Sequence, residues 1–142
     1  MLVKQISVFV ENKPGKIADI LKILGDNNID IGALALADTT DFGILRMIVN
    51  DADKTKKVLR DEGFVVKTTD VIAVSMEDRA GGLAEVLDVV KGGDNTIEYM
   101  YAFSTREARS AMAVLKVSNS QMALDALKNA GVKIANKLAI FG

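Results

Sequence analysis

Asn12-Lys13-Pro14-Gly15-Lys16 and Asp78-Arg79-Ala80-Gly81-Gly82 are the two stretches of this 142-residue chain whose residue types point to binding chemistry. Each sets a side-chain oxygen, a cation and a glycine just ahead of an apolar stripe with helical spacing. The start of a helix presents unpaired N–H groups and the positive end of its dipole, a natural seat for a carboxylate. Gly15 and Gly81 lack a Cβ, so a ligand can approach the backbone closely. Asn12 or Asp78 adds a side-chain oxygen that can accept from a ligand's cationic group. Plainer uses stand beside these: Asn12 and Asp78 are helix-cap types, and the glycines also permit close helix–sheet packing.

Other chemistries lack their parts. The chain has no cysteine, histidine or tryptophan, which removes thiolate nucleophiles, disulfides and soft metal sites. No G-x-S-x-G or phosphate loop is present, and the carboxylates Asp38 and Asp41 fall on an expected loop tip with no apolar wall. The reading is therefore a non-enzyme without cofactor or metal. Met47, Met76, Met100 and Met112 read as core or interface filler, and Arg46 and Arg79 as solvated charges. Eighteen basic and 19 acidic residues, net charge −1, leave no basic stripe for nucleic acid. Tyr99, Tyr101 and Phe103 alternate onto one strand face, but with Glu98 and Glu107 close by, sheet-to-sheet packing suits that ladder better than base stacking. No apolar run reaches the roughly 18–20 residues of a membrane span, and the N-terminus does not read as a signal peptide, so a cytoplasmic location is expected.

The elements around the two loops repeat. Lys4, Ile6, Val8 and Val10 alternate with Gln5, Ser7 and Phe9 as in a strand. Pro14 suits a first helical position, and Ile17, Ala18, Leu21 and Leu24, widened by Ile20 and Ile23, form the stripe of a helix that Gly25 and Asn27-Asn28 end. Ile29 and Ile31 open a second strand, which continues to a hairpin loop at Asp38-Thr39-Thr40-Asp41 and returns along Phe42–Val49. Asn50 or Asp51 caps a helix over about 52–62, Gly63 closes it, and Phe64 to Thr68 is a last strand.

The second copy follows the same order. Ile72, Val74 and Met76 make its first strand, Leu83, Val86, Leu87 and Val90 its helix stripe, and Gly92-Gly93-Asp94-Asn95 the stop. Ile97 to Phe103 and Ser110 to Val117 pair across Ser104-Thr105-Arg106-Glu107. Ser118 or Ser120 caps the next helix, Gly131 ends it, and Val132 to Phe141 holds a closing strand. The offset between copies is 66 at the turn, and matching Ile97 to Ile29 makes it 68, which places two extra residues near Gly92.

Each copy reads strand-helix-strand-strand-helix-strand. The fold class is α+β: two ferredoxin-like βαββαβ modules, residues 1–69 and 70–142, with antiparallel sheets, helices on one face, and the modules joined side by side. Each unit is near the lower size limit for an adequate core, so further packing and a homodimer are expected.

The pattern strand, N-K-P-G-K-I-A, helix, N-N-I-D-I resembles the ACT domain, an amino-acid-sensing module of metabolic enzymes. Asn12, Pro14, Gly15, Ile17, Asn28 and Ile29 match its D/N-x-P-G-x-L loop and N-I strand start. Asp78, Gly81, Leu83, Asn95 and Ile97 match in the second copy, with Ala80 in place of proline and Thr96 between Asn and Ile. The whole chain is similar to stand-alone tandem ACT proteins. The resemblance implies a regulatory protein with a free amino acid held at an inter-module interface by the strand–helix loops. Its ligand-binding set would be Asn12, Pro14, Gly15, Lys16, Ile17, Asn28, Asp30, Ile31, Asp78, Ala80, Gly81, Leu83 and Asn95, with Glu98 close to the same face. The alternative is a ligand-free interaction or dimerisation module that regulates a partner protein.

Overall fold

The computed structural model describes residues 1–38, 41–92, 94–105 and 109–141. Thr39, Thr40, Gly93, Arg106 and Glu107, expected in connections, lie outside the described residues. The chain divides into two compact units, Lys4–Thr69 and Asp70–Ile140, the latter joined by Met1–Val3.

The first unit is built from β1 (Val3–Glu11), α1 (Lys16–Asp26), β2 (Ile31–Asp38), β3 (Phe42–Val49), α2 (Ala52–Asp61) and the start of β4 (Val65–Glu77). Its strands lie in the order β2-β3-β1-β4. The β1–β3 and β2–β3 pairs are antiparallel. Ile6, Val8 and Val10 of β1 and Leu45, Met47 and Val49 of β3 point to the same face, where Ile20 and Leu24 of α1 and Leu59 of α2 cover them. Burying each such side chain stabilises the unit by about 1.5–3 kcal/mol, so truncating Leu24 to alanine would cost about 2–5 kcal/mol. The other face of β1 is less polar in environment than alternation suggests. Gln5 and Ser7 are both buried there, and the Gln5 amide Nε2 donates to Ser7 Oγ at 3.2 Å.

The second unit repeats the plan with the rest of β4, α3 (Gly82–Lys91), β5 (Ile97–Thr105), β6 (Ser110–Val117), α4 (Ser120–Asn129), β7 (Lys133–Ala135) and α5 (Lys137–Phe141). β6 lies between β4 and β5, and β7 pairs antiparallel with β4. Ile72 and Val74, Val86 and Val90, Leu115 and Val117, and Leu124 and Leu127 form its core. Met76 and Met100 pack against that core, and Met47 is fully buried in the other, as filler. On β5, Tyr99, Tyr101 and Phe103 are partly buried. No helix among the described residues is long and apolar enough to cross a membrane.

Several boundaries differ from the expectations. Pro14 lies two residues ahead of α1, and Gly25 sits inside that helix, which ends at Asp26 with Asn27 as its C-cap. Phe64 to Met76 does not break at Thr69-Asp70, because β4 runs unbroken to Glu77. Asp51 does cap α2, accepting from the Lys54 N–H at 3.1 Å, but α4 is capped by Asn119, not by Ser118 or Ser120. The closing segment is a three-residue strand followed by α5, because Asn136 Oδ1 takes the Ala139 N–H at 2.8 Å and starts a helical turn.

The largest correction concerns where the copies differ. Ile31 pairs with Val49 and Ile97 with Val117, and each pair is followed by the same register shift. Ile97 therefore corresponds to Ile31 and not to Ile29. The offset stays at 66 through β2 and β5 and becomes 68 only at β3 and β6, so the two extra residues belong to the β5–β6 connection and not to the region of Gly92.

Candidate functional site

The loops are turns of one type. The Lys16 N–H donates to the Lys13 carbonyl at 3.4 Å, and Gly15 stands at φ 82°, ψ −7°. The Gly82 N–H donates to the Arg79 carbonyl at 3.1 Å, with Gly81 at φ 84°, ψ −9°. This is a type II turn, which favours proline at its second residue and needs a left-handed residue at its third. Pro14 thus serves the turn and is not the first helical residue. The two glycines answer the positive φ. A Cβ on Gly15 would meet nothing within 4 Å, so close helix–sheet packing is not its reason. Close packing is instead the reason for Gly82, whose added Cβ would lie 2.7 Å from the Glu77 carbonyl oxygen.

Gly15 and Gly81 are themselves the N-cap residues, and neither α1 nor α3 receives a side-chain cap. Asn12 and Asp78 therefore do not cap helices. The first intrahelical bonds are Asp19 N–H to Gly15 O and Glu85 N–H to Gly81 O; the Lys16 and Gly82 N–H groups close the turns, which leaves those of Ile17 and Ala18, and of Leu83 and Ala84, without an intrahelical partner at each N-terminus.

Each module carries a pocket beside its turn. In the first, a cavity of ≈ 240 Å³ is lined by Val10, Glu11, Asn12 and Lys13, then Ile17 of α1, Leu36 and Asp38 of β2, and Gly43 of β3. In the second, a cavity of ≈ 250 Å³ is lined by Met76, Glu77, Asp78 and Arg79, then Leu83, Ala102, Ser104 and Ala111, with Phe103 added. With the structural offset, every lining position of the first has its counterpart in the second. Val10 answers to Met76, Ile17 to Leu83, Leu36 to Ala102, Asp38 to Ser104 and Gly43 to Ala111. Both lie just under the usual ligand-pocket range of about 300–1,000 Å³, a size for a small metabolite and not for a dinucleotide.

The charges at the rims are organised. Lys13 Nζ sits 2.9 Å from Glu11 Oε2. That hydrogen bond and charge hold the Glu11 carboxyl below its ordinary range and the Lys13 ammonium above its own. Arg79 bridges Glu85 at 2.6 Å and Glu77 at 3.1 Å, and these bonds raise its guanidinium further. Arg79 is thus an ion-paired wall and not a freely solvated charge. Opposite, Asn12 Nδ2 donates to Asp38 Oδ1 at 3.4 Å, joining the loop to the end of β2.

The structure brings Asn12 and Ile17 together in one pocket and Asp78 and Leu83 in the other. Pro14, Gly15, Lys16, Ala80 and Gly81 form the turns and helix starts beside them. Asn28, Asp30 and Ile31 stand past the far end of α1, an 11-residue helix that spans roughly 16 Å. There the Asp30 N–H donates to Asn50 Oδ1 at 3.0 Å. Asn95 does similar joining work: its Oδ1 accepts from Asn119 N–H at 2.7 Å and its Nδ2 donates to the Asn119 carbonyl at 3.0 Å. The sequence reading missed Leu36, Asp38 and Gly43, and Ala102, Phe103, Ser104 and Ala111. Asp38 was expected on a loop tip without an apolar wall, yet it ends β2 in a pocket walled by Val10, Ile17 and Leu36. Strand alternation held the signal, since Leu36 and Asp38 point to the same face as the pocket. Among the described residues no group of three or more His, Cys, Asp or Glu could hold a metal ion.

The family model for an ACT domain pair matches residues 1–139. A crystal structure of a protein from Bacteroides thetaiotaomicron is 38% identical, with TM-score 0.93, covering 99% of this chain and 96% of that one. The regulatory subunit of aspartate kinase from Thermus thermophilus, in a ligand-free form, is 16% identical with TM-score 0.67, covering 91% and 93% of the two chains. The regulatory subunit of aspartate kinase from Thermus flavus is 17% identical with TM-score 0.63, covering 90% and 92%. No match was found among curated proteins.

Proposed function

The chain belongs to the family of ACT domain pairs, and from that premise we propose that it is a cytoplasmic regulatory protein that binds a free amino acid in its loop pockets. The observation that carries the reading is the recurrence of one pocket at matching positions of both modules, each beside a type II turn and a helix N-terminus. The helix N-terminus of α1 or α3 supplies donors for a carboxylate. The polar groups across the pocket receive the ammonium, and the apolar walls select the side chain. The likeness to regulatory subunits of aspartate kinase supports regulation over catalysis.

A thermal-shift screen of the proteinogenic amino acids tests this. At a hundredfold excess over its dissociation constant a ligand stabilises the fold by about 2.7 kcal/mol. For a chain of this size that raises the melting temperature by roughly 5–10 °C. If no amino acid moves it, the second reading takes its place: a dimerisation module that regulates a partner protein. Leu34 and Leu36, 48% and 55% exposed on the terminal strand β2, favour that reading. It requires self-association that Leu34→Lys abolishes in sedimentation, without ligand.

A further inference from the structure

Arg79 borders two cavities of the second module. Toward β6 and β5 lies the loop pocket described above. Toward β7 lies a larger cleft of ≈ 420 Å³, inside the usual ligand range of about 300–1,000 Å³. The β4–β7 ladder ends at the pair Ser75 and Lys133, and the cleft opens there, between α3 and the turn at Gly131. The first module sets larger side chains at the matching positions: Ile20 where the second has Val86, Ile23 for Val89, and Phe64 for Val132. Ile20 is fully buried, and Ile23 and Phe64 pack against the first core, so side chains fill that volume there. Both modules share one fold, so the fold itself does not demand the cleft. Truncated apolar walls forgo contacts that a bound apolar group restores. Two further exchanges bring polar groups to the same place, Ser75 where the first module has Phe9 and Lys133 where it has Val65.

We propose that this cleft binds a short branched aliphatic carboxylate, its tail against Val86, Val89 and Val132 and its carboxylate at Lys133. The charges set that polarity. Glu77 and Glu85 are engaged by Arg79 at 3.1 and 2.6 Å, whereas Lys133 adds a cation to a position that is apolar in the first module. An anion is attracted there, and the hydroxyl of Ser75, opposite Lys133 in the ladder, adds a donor for it. Val132 and Lys133 line the cleft and not the loop pocket, so this site is separate from the one proposed for an amino acid.

The probe is isovalerate, with isovaleramide as its uncharged counterpart, each titrated into the isotope-labelled full chain by NMR. Saturable shifts of the Gly131, Val132 and Lys133 amide signals are expected. Val132→Phe and Val89→Ile return the first module's residues to the cleft and should weaken both probes, Val132→Phe to no detectable binding. Circular dichroism checks folding, and Val89→Ile, the milder change, decides the matter if Val132→Phe does not fold. Lys133→Val should weaken isovalerate about fivefold, the size of a well-formed rim ion pair, and leave isovaleramide within about twofold. No saturable shift, shifts confined to Asp78 and Leu83 of the loop pocket, or undiminished binding in the filled variants overturns the site. Equal losses of acid and amide in Lys133→Val overturn the carboxylate assignment.

Discussion

Asn28 and Asp94 stand 66 positions apart and share a left-handed backbone, φ 60° and 57°, at the exits of α1 and α3. Neither side chain hydrogen-bonds a described residue, so each position is selected by backbone conformation, which Asn and Asp tolerate better than other residues with a Cβ. Asn28→Ala should therefore cost about 1 kcal/mol, and Asn28→Gly should be nearly neutral, as read from urea midpoints. Equal losses for both would mean that the amide, and not the backbone, holds the turn.

The same pair explains where the sequence was legible. The βαββαβ order, the helix stripes and the Gly63 and Gly131 endings all follow from periodicity and turn chemistry, and the structure has them. The alignment of the copies was not legible, because Asn95-Thr96-Ile97 mimics Asn28-Ile29 in letters. The backbone makes Asp94 the counterpart of Asn28 and leaves Asn95 tied to Asn119. The loop half of each pocket was readable from Asn12, Ile17, Asp78 and Leu83, since glycine and proline mark turns. The strand half was hidden. Leu36 and Asp38 join the loop only through the register of β2 on β3, a contact between residues far apart in the chain.

Gly15 and Gly82 are needed for different reasons, and substitution separates them. Gly15→Ala has open space and suffers only the left-handed strain of roughly 1–2 kcal/mol, which Gly15→Asn should largely relieve. Gly82→Ala drives a Cβ to 2.7 Å from the Glu77 carbonyl, so the turn must shift at a cost of about 1–3 kcal/mol. Asn at position 82 should be at least as harmful as Ala. Rescue of Gly82→Ala by Asn, in thermal or urea unfolding, would contradict the steric account.

The Glu11–Lys13 pair should appear in a carboxyl titration by NMR. Glu11 is held below its ordinary pKa in the folded chain, chiefly by the Lys13 hydrogen bond and then by its charge. The stabilisation is therefore present above the unfolded Glu pKa and lost as pH falls through the lowered folded value. Lys13 is raised by the same partner, so its share is present below the unfolded Lys pKa and lost as pH rises through the raised value. The pair is intact at neutral pH. Lys13→Ala should return the Glu11 midpoint upward toward that of a free glutamate, and an unchanged midpoint would show that the pair does not form in solution.

Ala80→Pro should stabilise the second module by transplanting the turn of the first. Ala80 is the second residue of a type II turn whose third, Gly81, already matches Gly15 within a few degrees. The flanking bonds match as well, with Lys13 N–H on the Glu11 carbonyl at 2.8 Å and Arg79 N–H on the Glu77 carbonyl at 3.0 Å. Among the described residues the Ala80 N–H makes no backbone hydrogen bond outside regular elements, so proline removes none of those bonds. Proline fixes φ near the value this turn position requires, and its gain comes from the unfolded chain, about 0.4–1 kcal/mol. Pro14→Ala should lose a similar amount, and the double variant should return close to wild type because the sites share no partners. If the pockets bind an amino acid as proposed, Pro14 should favour the first, and a better-ordered second turn should narrow that difference. Urea unfolding measures the first effect and two-site calorimetry the second. A destabilised Ala80→Pro chain would mean that Arg79, held by Glu77 and Glu85, cannot take the extended backbone a following proline imposes, and the two turns would then not be interchangeable.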